Sequence, residues 1–288
     1  MRFCFSFFRT DPAEYVELAQ VAEEFGWDTA LVSDHVVNPA TIHSRYPYNE
    51  TGERTWQNED DFPDVWVATG MMAAATKRLH FMQGVYILPL RHPFLVAKAL
   101  GTAAYMSNYR VSLGIGLGWM RDEFELMDQD FATRGARCDE MVEVMRQLWT
   151  GEMVSHDGRF YRFPPLNMRP AASGPIPIVI GGSGDPAQRR AARIGDGWAP
   201  AGLEFDALRD GLQQIQKYRA EAGRDRLPFS VYGMARGATT ASDYRRFEEI
   251  GLTHALAMPW DHGDPSQDLE SKKTALKRFA DKIIAPLS

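Results

Sequence analysis

Pro177-Ile178-Val179-Ile180-Gly181-Gly182-Ser183-Gly184-Asp185-Pro186 is the stretch on which the fold turns. A β-branched run suited to a buried strand stops at a cluster of glycines. Asp185 then reads as an N-cap and Pro186 as the first residue of a helix. Glycine lets backbone N–H groups approach an anion closely, and a helix start adds its positive dipole end, so this junction suits a phosphate. A tight, ligand-free turn between strand and helix explains the same residues, and the stretch by itself leaves both readings open. No Gly-Lys-Ser/Thr follows, which excludes a Walker A loop, and the spacing is not the Gly-x-Gly-x-x-Gly of a dinucleotide fold.

Strands and helices alternate on both sides of this junction. Toward the N-terminus, residues 2–8, 29–33, 80–88 and 110–116 read as strands. Helices follow over residues 11–25, 63–76, 93–106 and 134–149, the first closed by Gly26. In the last of these helices Cys138, Met141, Val142, Met145, Leu148 and Trp149 share one face. Residues 38–61, polar and aromatic, are too long for an ordinary connection. Residues 151–172 break the alternation, with a small hairpin at residues 157–161 and an irregular run set by Pro164, Pro165 and Pro170. Toward the C-terminus, strands are expected at 197–201, 229–234 and 254–258, and helices at 205–222, 242–250 and 268–284. Such repeats through 288 residues favour a (β/α)8 TIM barrel, one domain over 1–288, above an open doubly wound sheet.

Composition narrows the partners. A net charge of −6 argues against nucleic acid or an anionic membrane surface. Cys4 and Cys138 lie far apart with no Cys-x-x-Cys, so no disulfide framework or zinc site is written here, which fits a reducing cytosol. The apolar start, Phe3 to Phe8, is short and runs at once into Arg9 and Asp11, unlike a signal peptide, and nothing later has membrane-spanning length. A cytoplasmic protein is the expectation. The histidines show no His-x-His or comparable ligand set, no Gly-x-Ser-x-Gly elbow is present, and the expected metal is none.

In a barrel, chemistry collects where strands end. Asp34-His35 after the second strand offers a carboxylate and an imidazole for proton transfer or ligand hydrogen bonds, or a capping Asp beside an incidental His. Gly84-Val85 lies within the third strand, where glycine marks a bulge, a close ligand approach or simple packing. Leu117-Gly118-Trp119 follows the fourth strand. With Gly181–Gly184 it suggests two loops holding different parts of one extended anionic cofactor. Tyr46, Tyr48, Trp56, Trp119, Trp198 and Trp260 are expected in or beside loops of this face, as suits a flat or apolar ligand. Glu59-Asp60-Asp61 reads as a solvated loop and helix cap.

These residues carry a resemblance. Arg91-His92-Pro93-Phe94-Leu95-Val96-Ala97-Lys98, then Leu113 through Phe124, Phe131 through Arg137 with Asp139-Glu140, Ile176 through Gly182, and Ile194-Gly195-Asp196-Gly197-Trp198 resemble the luciferase-like monooxygenase superfamily, most of all its short branch of coenzyme F420-dependent oxidoreductases. The resemblance implies a TIM barrel with an insertion region before the fifth strand, and a deazaflavin or flavin across the strand C-termini. It matches Asp34 and His35 to the pair beside the ring, His35 to the proton that accompanies hydride transfer, and Gly84-Val85 to a non-prolyl cis peptide against the ring. Leu117, Gly118 and Trp119, with Gly181, Gly182, Ser183 and Gly184, match cofactor contacts.

Two departures stand out. Sugar-phosphate dehydrogenases of the superfamily carry an acidic residue where this chain has Trp119. The usual Leu-Asp-x-Leu-Ser-Gly-Gly-Arg run reads here Ala103-Ala104-Tyr105-Met106-Ser107-Asn108-Tyr109-Arg110, losing both glycines. The expected function is a coenzyme F420-dependent oxidoreductase that moves a hydride to or from a small organic substrate. His35, positioned by Asp34, would handle the proton, and Tyr46 and Trp56 would shape the substrate pocket. An FMN-dependent monooxygenase fed by a separate flavin reductase, and a non-catalytic flavin-binding barrel, are the alternatives. Relatives commonly dimerise, which makes a homodimer one expectation.

Overall fold

The computed structural model describes residues 1–264 and 266–287. Its strands are β1 (Arg2–Ser6), β2 (Thr29–Val32), β3 (His80–Gln83), β4 (Tyr86–Ile87), β5 (Val111–Gly116) and β6 (Val154–Asp157). After these come β7 (Arg162–Leu166), β8 (Ile178–Gly181), β9 (Gly197–Ala199), β10 (Ser230–Met234) and β11 (His254–Ala257). The main helices are α1 (Tyr15–Glu24), α2 (Val65–Ala75), α3 (Pro93–Met106), α4 (Arg121–Leu126) and α5 (Arg134–Trp149). Following them are α6 (Asp185–Ile194), α7 (Phe205–Glu221), α8 (Ala241–Glu249) and α9 (Leu269–Phe279).

All barrel strands are parallel. β1 pairs with β2 on one side and β11 on the other, and the ring closes where β3 meets β5. β3 and β4 are two pieces of one stave, since both pair with β5, and the result is a (β/α)8 TIM barrel. The expected single strand over 80–88 is broken after Gln83. The Gly84–Val85 peptide bond is cis, the strand resumes at Tyr86, and a 3₁₀ turn over Leu88–Leu90 ends it.

Residue alternation explains what fills the barrel. The parallel register places Cys4, Leu31, Met82, Val179 and Tyr232 on the inner face, where they form one buried cluster. One step lower, the His80 Nε2 lies 2.9 Å from Ser112 Oγ, and His254 stacks on Tyr232 with ring centroids 4.0 Å apart. Burial holds both imidazoles down at about 4. One step higher, the inner positions of β5 and β8 are Gly116 and Gly181, so the upper layer is bare backbone. Outside, helices cover the strands, and Cys138, Met141, Val142, Met145, Leu148 and Trp149 of α5 are all buried as their spacing requires. Burial raises both thiols, that of Cys138 to about 12.

Local chemistry moves several boundaries. α2 starts at Val65 because the Asp64 carboxylate accepts the N–H groups of Trp66 and Val67. α6 starts one residue earlier than its sequence suggests. Gly184 occupies the N-cap and Asp185 the first turn, and the Asp185 carboxylate pairs with Arg189. The insertion is a two-stranded hairpin of β6 and β7, anchored where Glu140 of α5 accepts the N–H groups of Phe160 (3.0 Å) and Tyr161 (2.7 Å). Pro164 and Pro165 fall inside β7 rather than in an irregular run. In a ribbon this narrow every strand is an edge, so a missing N–H is tolerated. Among the described residues no helix is long and apolar enough to cross a membrane.

Candidate active site at the barrel mouth

The strand ends bring together a buried charge pair, an imidazole and a cluster of aromatic rings. Asp34 leaves the end of β2 with its carboxylate buried. It accepts two bonds from the Arg91 guanidinium, at 2.5 and 2.6 Å, and one from the Ile87 N–H at 2.8 Å. Burial alone would lower the Arg91 pKa, but the bonds and charge of Asp34 raise it. Asp34 therefore ties β2 to the broken third stave. It does not hold His35, contrary to the sequence expectation.

Glu123 holds His35 instead. This glutamate of α4 is fully buried, and its Oε2 lies 3.0 Å from His35 Nδ1. Its Oε1 accepts the Val36 N–H at 2.6 Å. Glu123 stands in the quoted stretch Leu113 through Phe124, but nothing in the spacing separates it from an ordinary surface acid of a first helical turn. Its role follows from a loop–helix contact between residues far apart in sequence.

A segment over residues 38–61 crosses the mouth. It is fastened by Asp122, which accepts the N–H groups of His43 (2.8 Å) and Ser44 (3.1 Å) and the Ser44 hydroxyl (2.7 Å). Burial works against the Asp122 charge, but these donors outweigh it and hold the carboxyl at about 2. At the other end Asp60 pairs with Arg9 at 3.0 Å. Between the clasps Trp56 is buried against His35 (ring centroids 4.9 Å) and Phe62 meets the same imidazole edge-on at 5.0 Å. Tyr46 and Trp119 complete the cluster, at 5.1 Å from each other and 5.7 and 5.9 Å from Trp56. Trp119 thus joins Tyr46 and Trp56 in one cluster, of which Trp56 touches the imidazole. Tyr48 packs on Tyr46 but is exposed, and Trp260 is buried against Phe5 and His262. The indole N–H of Trp56 is buried without a hydrogen-bond partner among the described residues.

The other half of the mouth is made of backbone. Val85 leans over Gly116 and Gly181, whose missing side chains leave it room. Gly118 and Gly182 have φ of +79° and +115°, the region glycine enters without strain. Gly184 as N-cap has no side chain; its carbonyl accepts the N–H groups of Ala187 and Gln188, Pro186 has none, and the Asp185 N–H is left without a side-chain cap. Ser183 is used within the chain, accepting the Ala201 N–H at 2.9 Å. Trp198, expected near the loops, is instead fully buried beneath them and donates its indole N–H to the Gly182 carbonyl at 2.7 Å. Near Gly118, Arg121 and Arg134 both stack on Phe131, and Arg134 Nε donates to the Gly118 carbonyl at 3.3 Å. Neither guanidinium has a carboxylate partner among the described residues. Burial and then the Arg121 charge lower the Arg134 pKa. No cluster of metal-ligating side chains occurs among the described residues.

Bare strand ends, a held imidazole and a roof of aromatic rings thus meet at one end of an α/β barrel. Residues 3–279 match the model for luciferase-like monooxygenase, and the chain belongs to that family. An uncharacterized protein of Mycobacterium tuberculosis is 36% identical over 288 residues, covering 99% of this chain and 99% of its own. An F420-dependent glucose-6-phosphate dehydrogenase of Nocardia farcinica is 33% identical over 220 residues, 74% of this chain and 61% of that protein. Among solved structures, the coenzyme F420 dependent tetrahydromethanopterin reductase from Methanopyrus kandleri shares the fold with a TM-score of 0.77, at 15% identity, over 100% of this chain and 99% of that one.

Proposed function

We propose that this protein is a coenzyme F420-dependent oxidoreductase acting on a small organic substrate that binds under the residue 38–61 segment. One observation carries the reading: the His35 imidazole is held at the same barrel end as glycine-lined strand tips, beneath a roof of aromatic rings. The residues present fit the cofactor. Gly116 and Gly181 leave room for Val85 to line the mouth, and the Asp185 N–H at the start of α6 is left for an anionic tail. Arg121 and Arg134 add positive charge beside Gly118. When bound, a deazaflavin supplies hydride exchange at its C5.

The chain's own part is to bind, orient and move a proton. Trp56, Tyr46 and Trp119 exclude water from the space next to His35 and offer apolar contact to the substrate. The imidazole gives or takes the proton that balances the hydride. With Trp119 in place of an acidic residue, the substrate of the Nocardia relative is not carried over. Val67 and Met71 are exposed on α2, which is apolar on its inner face as well, and they support a second copy of the chain as a partner.

Titrating the purified protein with the deazaflavin and with FMN tests the reading. Binding of the deazaflavin with a quenched or shifted chromophore is expected; micromolar binding of FMN with none of the deazaflavin would overturn it in favour of a monooxygenase.

A further inference from the structure

We propose that Glu123 is a positioning residue that works through His35: its carboxylate fixes the imidazole with the hydrogen on Nδ1 and leaves Nε2 as the atom that exchanges a proton with the substrate. The hydrogen placement stands on geometry alone. Its consequence for turnover rests on the oxidoreductase reading above.

Three contacts define the geometry. Glu123 Oε2 is 3.0 Å from His35 Nδ1, and Oε1 is 2.6 Å from the Val36 nitrogen and 3.5 Å from that of Val37. A carboxylate presents only lone pairs, so the imidazole facing Oε2 must supply its hydrogen from Nδ1. Full burial of Glu123 keeps water from competing for these bonds. His35 Nε2 has no partner among the described residues and is not sealed off from solvent, so it can meet a ligand. Trp56 and Phe62 pack the ring from two directions and prevent it from turning over. The other charges close by, Asp34 and Arg91, are paired with each other, and among the described residues Glu123 is the only carboxylate bonded to this imidazole.

The geometry also separates Glu123 from Asp122, its neighbour in α4. Asp122 accepts from the crossing segment, whereas Glu123 accepts from the imidazole and the chain just after it. One helix turn therefore sets the roof with one acid and the proton-carrying ring with the next.

Nitrogen-15 NMR of the full-length, cofactor-free protein tests the placement, with His35 assigned by the signals lost in His35→Gln. Neutral His35 should carry its hydrogen on Nδ1. In Glu123→Gln the new amide can donate to Nδ1, so the ring should switch to the Nε2–H form, and Glu123→Asp should keep the original form. Hydrogen on Nε2 in the unaltered protein would overturn the proposal, and that measurement decides the question even if Glu123→Gln does not fold. With cofactor and a substrate that turns over, Glu123→Gln should lower kcat about 100-fold while KM and cofactor affinity stay within about twofold. Glu123→Asp should recover part of the loss. Equal losses in kcat and cofactor affinity, with the ring form unchanged, would make Glu123 a loop anchor and refute the positioning role. The expected ring form without deazaflavin binding would instead refute the oxidoreductase reading and leave the hydrogen placement intact.

Discussion

A β-carbon on Gly116 would fall 2.5 Å from Cγ2 of Val85, so the fourth stave must be bare where the broken third stave leans across it. The same valine crowds Gly181, where a β-carbon would lie 2.8 Å from Cγ1. Gly116→Ala is therefore expected to push Val85 into the mouth. Chemical denaturation should show a loss of about 1–3 kcal/mol, and deazaflavin affinity should fall at least tenfold. Unchanged affinity in a folded variant would mean that Val85 does not border the cofactor.

His35→Ala removes the proton carrier without touching the glycine-lined bed. Turnover should fall by roughly 10²–10⁴, with the cofactor dissociation constant little changed. Equal losses in both would assign His35 to cofactor binding alone.

Asp122→Asn tests the clasp on the crossing segment. An amide keeps one acceptor oxygen but sets a donor against the N–H of either His43 or Ser44, which bond different oxygens. Hydrogen exchange over residues 38–61 should speed up about tenfold or more, while the barrel strands keep their protection. Because the folded carboxyl sits at about 2, below its ordinary value, the clasp is fully present at neutral pH and weakens only as pH falls through the acid range toward that value.

Acid should loosen the barrel from below. His80 and His254 are neutral in the fold and held at about 4, whereas in the unfolded chain they take up protons near 6.5. The unfolded state thus binds more protons first, so stability is fully present above pH 6.5 and declines as pH falls from there toward 4. Measured unfolding free energy against pH should show this slope, and it should flatten in His254→Gln. A flat profile in the unaltered protein would contradict the buried neutral assignment.

Asn108 and Tyr109 both have positive φ, 56° and 59°, the region that favours glycine. Asn108→Gly should stabilise the protein by about 0.5–1 kcal/mol, read as a higher denaturant midpoint without loss of activity. Tyr109 is a different case, because its hydroxyl bonds the Ser173 N–H and hydroxyl and offsets the backbone cost.

Much of this molecule is written in local chemistry. The glycine-ended strand before Asp185, the face of α5 and the alternation of elements read directly into a closed barrel because each depends on neighbours along the chain. Asp34 and Glu123 were harder. An aspartate beside a histidine invites pairing, but the strand turns the two side chains to different partners, and each partner arrives from a distant element. Gly184 took the N-cap expected of Asp185 because Arg189, one turn on, claims that carboxylate. The short helix α4 has no apolar periodicity of its own and is recognisable only from what its acids hold.

Trp198 gives the site a built-in lamp. Its indole N–H is spent on the Gly182 carbonyl, and its ring is shut away from solvent, so its emission reports on that loop and on little else nearby. An anion settling on the amides of the glycine loop would alter the electric field along that single bond and shift the colour of the light. The chain holds 7 tryptophans, Trp56 and Trp119 at the mouth among them, so the difference between the unaltered protein and Trp198→Phe is the optical readout of occupancy, usable without labels and before any substrate is known.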